Sequence, residues 1–253
     1  FAPYPTQSEV VTSWLVEKKG FKRIGILYQD DKYGYTFRDP AKKVLEKYGL
    51  ELIAAESYKR GAVDMSAQIA KLKKANLDAL ILVALPKSGA SALKEAHKQG
   101  LKGTKIISSG PLTDEKFIIL SGGVGEGVWG LSLWPDPVNS QRPAMAEYRE
   151  MMKKYGKDKD NRPNRYSLFG YFYAKLFVEG LKKAGKNLTR DSYLAALEGM
   201  KNWENGIVPA VSFSGSAHLA QNAGFMVEVK KDVFKPISGW VRLKDGRLVE
   251  EPL

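Results

Sequence analysis

Cysteine is absent from the 253 residues, so disulfides, thiolate metal sites and cysteine nucleophiles are excluded, while the compartment stays open. Histidine is nearly absent too. His97 and His218 are far apart in sequence and outside any metal-ligand spacing, and both read as surface residues. No apolar run approaches the ~20 residues that span a bilayer as a helix. There is no phosphate-binding P-loop, and neither Ser88 nor Ser109 sits in a G-x-S-x-G elbow, so no nucleophile and base emerge. No metal or cofactor is expected, and the chain does not read as an enzyme.

The chain opens on Phe1 rather than methionine, in a proline-punctuated string, Phe-Ala-Pro-Tyr-Pro. That string reads as an extended joining segment, and the sequence as a mature chain or a piece of a longer one. A net charge of +12 raises nucleic acid as a partner. The lysines argue against it: Lys18, Lys42, Lys73, Lys94, Lys153 and Lys182 are spread over successive helices, without interleaved aromatics, as on solvated faces.

What is present is an alternation of apolar strands and amphipathic helices. The run 24–28, Ile-Gly-Ile-Leu-Tyr, predicts a buried strand that ends in a polar turn, Gln29-Asp30-Asp31-Lys32-Tyr33-Gly34. Before it, a helix capped by Thr6 or Ser8 carries Val10, Val11, Trp14 and Leu15 at helical spacing. After it come a helix over 35–48 with Pro40 in or near its first turn, a strand over 51–58, and a helix capped by Asp64. A wholly apolar central strand over 79–85 leaves through Pro86, Lys87 and Ser88 into a helix from 89 to 99. A strand over 105–109, a short helix capped by Thr113 and a strand over 128–133 complete five βα units. Right-handed crossovers then give a parallel sheet with helices on both faces.

Beyond Trp134-Pro135-Asp136-Pro137 the character changes. Three helices follow without a strand, 143–155, 165–184 and 190–200, with a charged loop over 157–162. The middle one places Tyr166, Phe169, Tyr173, Leu176 and Phe177 on a broad apolar face that needs covering. Short alternating strands are expected over 208–213, 225–229, 234–237 and 240–243, as links and edges, with turns at Asp232 and Asp245-Gly246.

The string Gly125-Glu126-Gly127-Val128-Trp129-Gly130 satisfies G-x-G-x-x-G, but it enters a strand rather than leaving one and reads as a glycine turn. Asp30 and Asp31 suit capping or solvation better than acid–base work. Tyr33, at the carboxyl end of a sheet strand, can offer a ring and a hydroxyl to a small ligand, or it can lie along its own helix; position alone leaves both open.

The segments PYPTQSEVVTSWLVEKKGFKRIGILYQDDKYG, LDALILVALPKSGASALKEAHKQGLKGTKIISSG, EGVWGLSLW and YFYAKLFVEGLKKAGKNLTRDSYLAALEGMKNW, followed by VSFSGSAHLAQNAGFMVEVKKDVFKPIS, resemble the type I periplasmic solute-binding proteins of branched-chain amino acid ABC importers. The resemblance implies two flavodoxin-like α/β lobes, each a doubly wound parallel sheet, holding a small solute between them and closing like a hinge. It implies that 1–133 with 226–253 form the second lobe. Residues 134–225 would then be the returning helices of a first lobe whose sheet this sequence lacks. Tyr33 matches the family's aromatic contact after the second lobe's first strand. Binding is also expected to draw on the turns at Leu85, Pro86 and Ser88 and at Ser109, Pro111 and Thr113, with Trp134 at the crossover and Tyr166 at a first-lobe helix start as weaker candidates.

The family's amino-acid binders often carry a tyrosine where this chain has Leu85-Pro86, and a glutamate where it has Pro111-Leu112-Thr113. Aromatic or aliphatic acids and amides therefore stand beside hydrophobic amino acids as ligands. The implied partners are membrane permease subunits, the implied place is the periplasm or an extracellular membrane anchor, and the implied state is a monomer when complete. A ligand-sensing regulatory domain shares the same architecture.

Overall fold

The computed structural model describes residues 2–156, 162–219 and 222–253. Phe1 and most of the expected charged loop, 157–161, lie outside the described residues. The chain divides into two compact units, one of residues 2–132 with 222–253, the other 133–221.

The larger unit is an eight-stranded sheet flanked by helices. Its strands are β1 (Ile24–Gln29), β2 (Leu52–Tyr58), β3 (Ala79–Val83), β4 (Lys105–Ser108), β5 (Trp129–Ser132), β6 (Gly224–Lys230), β7 (Val233–Lys244) and β8 (Arg247–Glu251), in the order β2-β1-β3-β4-β5-β6-β7-β8. The first five are parallel, in the order of a flavodoxin-like doubly wound sheet. β6, β7 and β8 then add on antiparallel. Every residue of β1 and of β3 is buried, as strands covered on both faces must be. Leu27, Leu80, Leu82, Leu93, Phe117 and Val229 share one apolar cluster, so the added strand β6 closes the same core.

The helices of this unit are α1 (Tyr4–Lys19), α2 (Lys32–Lys47), α3 (Ser66–Lys74), α4 (Pro86–Lys98) and α5 (Glu115–Ser121). In this unit the structure differs from the expected elements in several places. The proline-rich opening is helical from Tyr4, with Pro3 at the cap position and no side-chain cap, because proline suits a first turn whose amides have no partner. Ser8 is buried and donates instead to the Phe37 carbonyl at 2.6 Å. Pro40 lies in the interior of α2, since that helix starts at Lys32 rather than 35. For the same reason of proline at a first turn, α4 starts at Pro86, so Pro86, Lys87 and Ser88 form a helical turn and not a loop.

The tail also departs from links and edges. The expected strands over 234–237 and 240–243 are one twelve-residue strand, β7, joined to β6 through Lys231-Asp232 and to β8 through Asp245-Gly246. All four turn residues have positive φ, as two-residue hairpin turns of the twisted kind require.

In the smaller unit, α6 (Pro143–Tyr155), α7 (Arg165–Ala184) and α8 (Arg190–Glu198) are the regular elements among the described residues. The strand expected over 208–213 is reduced to a single bridge, Trp203 to Val211. Asn164 caps α7 and Thr189 caps α8, each in a reciprocal box with a serine at the third position. α8 buries none of its residues, and Tyr166, Tyr173, Phe177 and Val178 of α7 are exposed.

Candidate functional site

The carboxyl ends of β1, β3 and β4, adjacent in the sheet, carry the groups of interest. β1 ends at Gln29, and Asp31 caps α2 by accepting from the amides of Tyr33 at 3.0 Å and Gly34 at 3.3 Å. Asp31 also takes a hydrogen bond from the Gln29 side chain. The Asp30 carboxylate accepts from the Tyr35 hydroxyl at 2.6 Å. The aspartate pair therefore does capping and local bonding. Gly34 is required at its place, because a Cβ there would overlap the Gln29 backbone carbonyl.

This tight turn sets Tyr33 in the first turn of α2 with its side chain reaching across to the neighbouring strands. The Tyr33 hydroxyl lies 3.3 Å from the carbonyl oxygen of Ala84, just past β3, and 3.1 Å from Oγ of Ser109, just past β4. Burial pushes that hydroxyl well above the usual tyrosine range, against a smaller lowering by the Ser109 bond, so it stays a neutral donor. The Tyr33 ring meets Tyr4 edge-on at 5.0 Å and Phe37 at 5.8 Å.

Of the other expected contacts, Ser109 caps a short 3₁₀ turn, Gly110–Leu112, in which Pro111 is half-buried. Thr113 is buried, and its hydroxyl donates to Gly110 O at 2.8 Å. Asp114, rather than Thr113, caps α5, accepting from the Lys116 amide at 2.9 Å. Leu85 is exposed, whereas Ser88 is buried inside the first turn of α4. The structure thus gathers Tyr33 and Ser109 directly, with Pro111 and Thr113 in the next turn. In the smaller unit, Trp134 is buried against Phe169 at 4.7 Å and Phe172 at 5.1 Å, and Tyr166 is exposed beside Phe169.

Tyr4 is the residue that sequence reasoning missed. Its signal was the aromatic between two prolines, legible only once Pro3 and Pro5 are seen to start a helix. Among the described residues no cluster of histidine, aspartate and glutamate could hold a metal ion, and no helix is long and apolar enough to cross a membrane. The G-x-G-x-x-G string holds no helix N-terminus: Gly127 donates to Val229 O, and Trp129 and Gly130 begin β5.

A family profile described as periplasmic binding protein matches residues 1–233 of the chain. The chain belongs to the periplasmic binding protein family. Among its relatives are Leu/Ile/Val-binding protein homolog 1 of Brucella suis, 27% identical over 181 residues, covering 72% of this chain and 47% of that protein, and homolog 7 of Brucella abortus, 27% identical over 169 residues, covering 64% and 41%. This chain therefore spans about half the length of the curated relatives it matches.

Solved structures with the same fold include a branched-chain amino acid ABC transporter protein from Thermus thermophilus with bound valine, TM-score 0.84 at 18% identity, covering 95% of this chain and 65% of that one. A possible leucine/isoleucine/valine-binding protein from Rhodopirellula baltica gives 0.83 at 20% identity, covering 94% and 65%. The mostly parallel eight-stranded sheet with its flanking helices matches the fold of these structures.

Proposed function

We propose that the chain is part of the extracytoplasmic solute-binding component of an ABC importer, working by binding and release without turnover. The observation that carries this reading is the Tyr33–Ser109 pair held over the carboxyl ends of β1, β3 and β4, where ligands meet a doubly wound sheet. Its ligand is a small hydrophobic amino acid or a related carboxylate, with aromatic acids and amides as the alternative. The alternative is favoured by the makeup of the turns, since Leu85-Pro86 and Pro111-Leu112-Thr113 supply no carboxylate to pair a buried ammonium. Leu85, Pro86, Pro111 and Thr113 would border the ligand.

On this reading residues 133–221 are the helical part of a lobe whose sheet comes from polypeptide outside this sequence, which agrees with the exposed apolar face of α7 and α8. The partners are permease subunits of the importer, the protein is a monomer when complete, and its place is the periplasm or an extracellular membrane anchor.

A thermal-shift screen of amino acids, aromatic acids and amides tests the proposal, because a solute that binds the native state raises its melting temperature. Titration of the best solute against Tyr33→Ala should show an affinity at least about tenfold weaker, in line with losing a ring contact and a hydrogen bond. Unchanged affinity would overturn Tyr33 as a contact.

A further inference from the structure

Three rings stand together at the ligand end of the sheet. Tyr4 of α1 meets Tyr33 of α2 at 5.0 Å and 69°, Tyr4 meets Phe37 at 5.3 Å, and Tyr33 meets Phe37 at 5.8 Å and 78°. Phe37 is sealed beneath, whereas Tyr4 and Tyr33 are both half-buried. Neither upper ring is loose. The Tyr33 hydroxyl is tied to Ala84 and Ser109, and Tyr4 lies in a helix turn stiffened by Pro3 and Pro5, one turn before Gln7, whose side chain is buried and donates to Ala2 O at 2.7 Å.

We propose that Tyr4 is a specificity-determining residue, which with Tyr33 makes an aromatic wall selecting solutes that carry an aromatic ring over aliphatic ones of similar size. The inference rests on the solute-binding reading above and narrows it. An aliphatic chain set against this wall gains only buried area. A planar ring gains that area and also an edge-to-face or offset contact with fixed rings, whose order costs nothing further on binding.

The test is calorimetric titration of the full chain with matched pairs, phenylalanine against leucine and 3-phenylpropionate against 4-methylvalerate. The aromatic member of each pair that binds should be about tenfold tighter, the scale of one added ring contact. Tyr4→Leu should weaken aromatic solutes about tenfold more than aliphatic ones, and Tyr4→Phe should keep the preference. Equal or reversed preference in the unaltered protein overturns the inference and leaves solute binding standing. Tyr4→Leu weakening both members alike also overturns it, since that is the mark of a packing role only. Binding of none of the four overturns the inference, and solute binding falls with it only if the thermal-shift screen finds no stabilising solute either.

Discussion

The hydroxyl of Tyr33 lies 3.1 Å from Oγ of Ser109, a residue 76 positions later, and 3.3 Å from the carbonyl of Ala84. One side chain on α2 thereby ties together the exits of two neighbouring strands. The ring that would contact a ligand is also a strut of the sheet end, so affinity and stability are coupled at this residue. Tyr33→Phe separates them, because it keeps the ring and removes the bonds. A lost, partly buried hydrogen bond costs about 1 kcal/mol. The melting temperature should fall by about 2–4 °C for a chain of this size, and affinity for an apolar solute should fall by less than for Tyr33→Ala. Scanning calorimetry with titration of both variants checks it. An unshifted melting temperature in Tyr33→Phe would mean that the hydroxyl carries no load.

A pH prediction comes from the other end of the sheet. Glu228 of β6 pairs with Lys230 at 2.8 Å, accepts from the indole of Trp129 at 3.1 Å and faces Lys105 at 3.7 Å, with only 17% of its side chain exposed. The Lys230 hydrogen bond, then that from Trp129 and the two lysine charges, hold its carboxyl below the usual glutamate range, against a raising effect of burial. A folded pKa below the unfolded one means that the unfolded state binds more protons. The stabilisation is therefore present above the ordinary glutamate value and lost as pH falls through the folded one. Glu228→Gln should lower stability at neutral pH and flatten the acid side of the melting-temperature profile below the ordinary glutamate range. Parallel profiles for the two proteins would remove Glu228 from that limb.

Much of the larger unit is written locally. β1 and β3 are continuous apolar runs, and Asp31 precedes an amphipathic pattern with two amides in reach, so strand, cap and helix follow from neighbours in sequence. β7 was hidden because Pro236 and Gly239 interrupt it. The structure tolerates Pro236 because β8 pairs only with Trp240–Lys244, which leaves the first half of β7 as an edge where a missing N–H costs little. The site was half legible. Tyr33 announces itself at a strand end, but Ala84 and Ser109 reach it only through the β1-β3-β4 order, and Tyr4 was concealed by prolines that open a helix as readily as they extend a chain.

The smaller unit supplies a prediction about what its helices are for. Phe177 is 53% exposed and Leu194 46%, and α8 has no buried residue, yet both helices are fully capped and carry apolar side chains on that side. Such a surface is stable enough to form and too apolar to be left to water. In the 253-residue chain, Phe177→Glu and Leu194→Glu should each cost no more than about 0.5 kcal/mol, a surface-scale effect, and should reduce binding of a hydrophobic dye. If a sheet from a longer polypeptide covers these helices, the same changes made there should cost about 2–5 kcal/mol each, because each buries a charge where an apolar side chain packs. Thermal melts of both variants at both lengths decide the matter. Equal tolerance in the longer polypeptide would mean that the α7–α8 face is not the inside of a lobe.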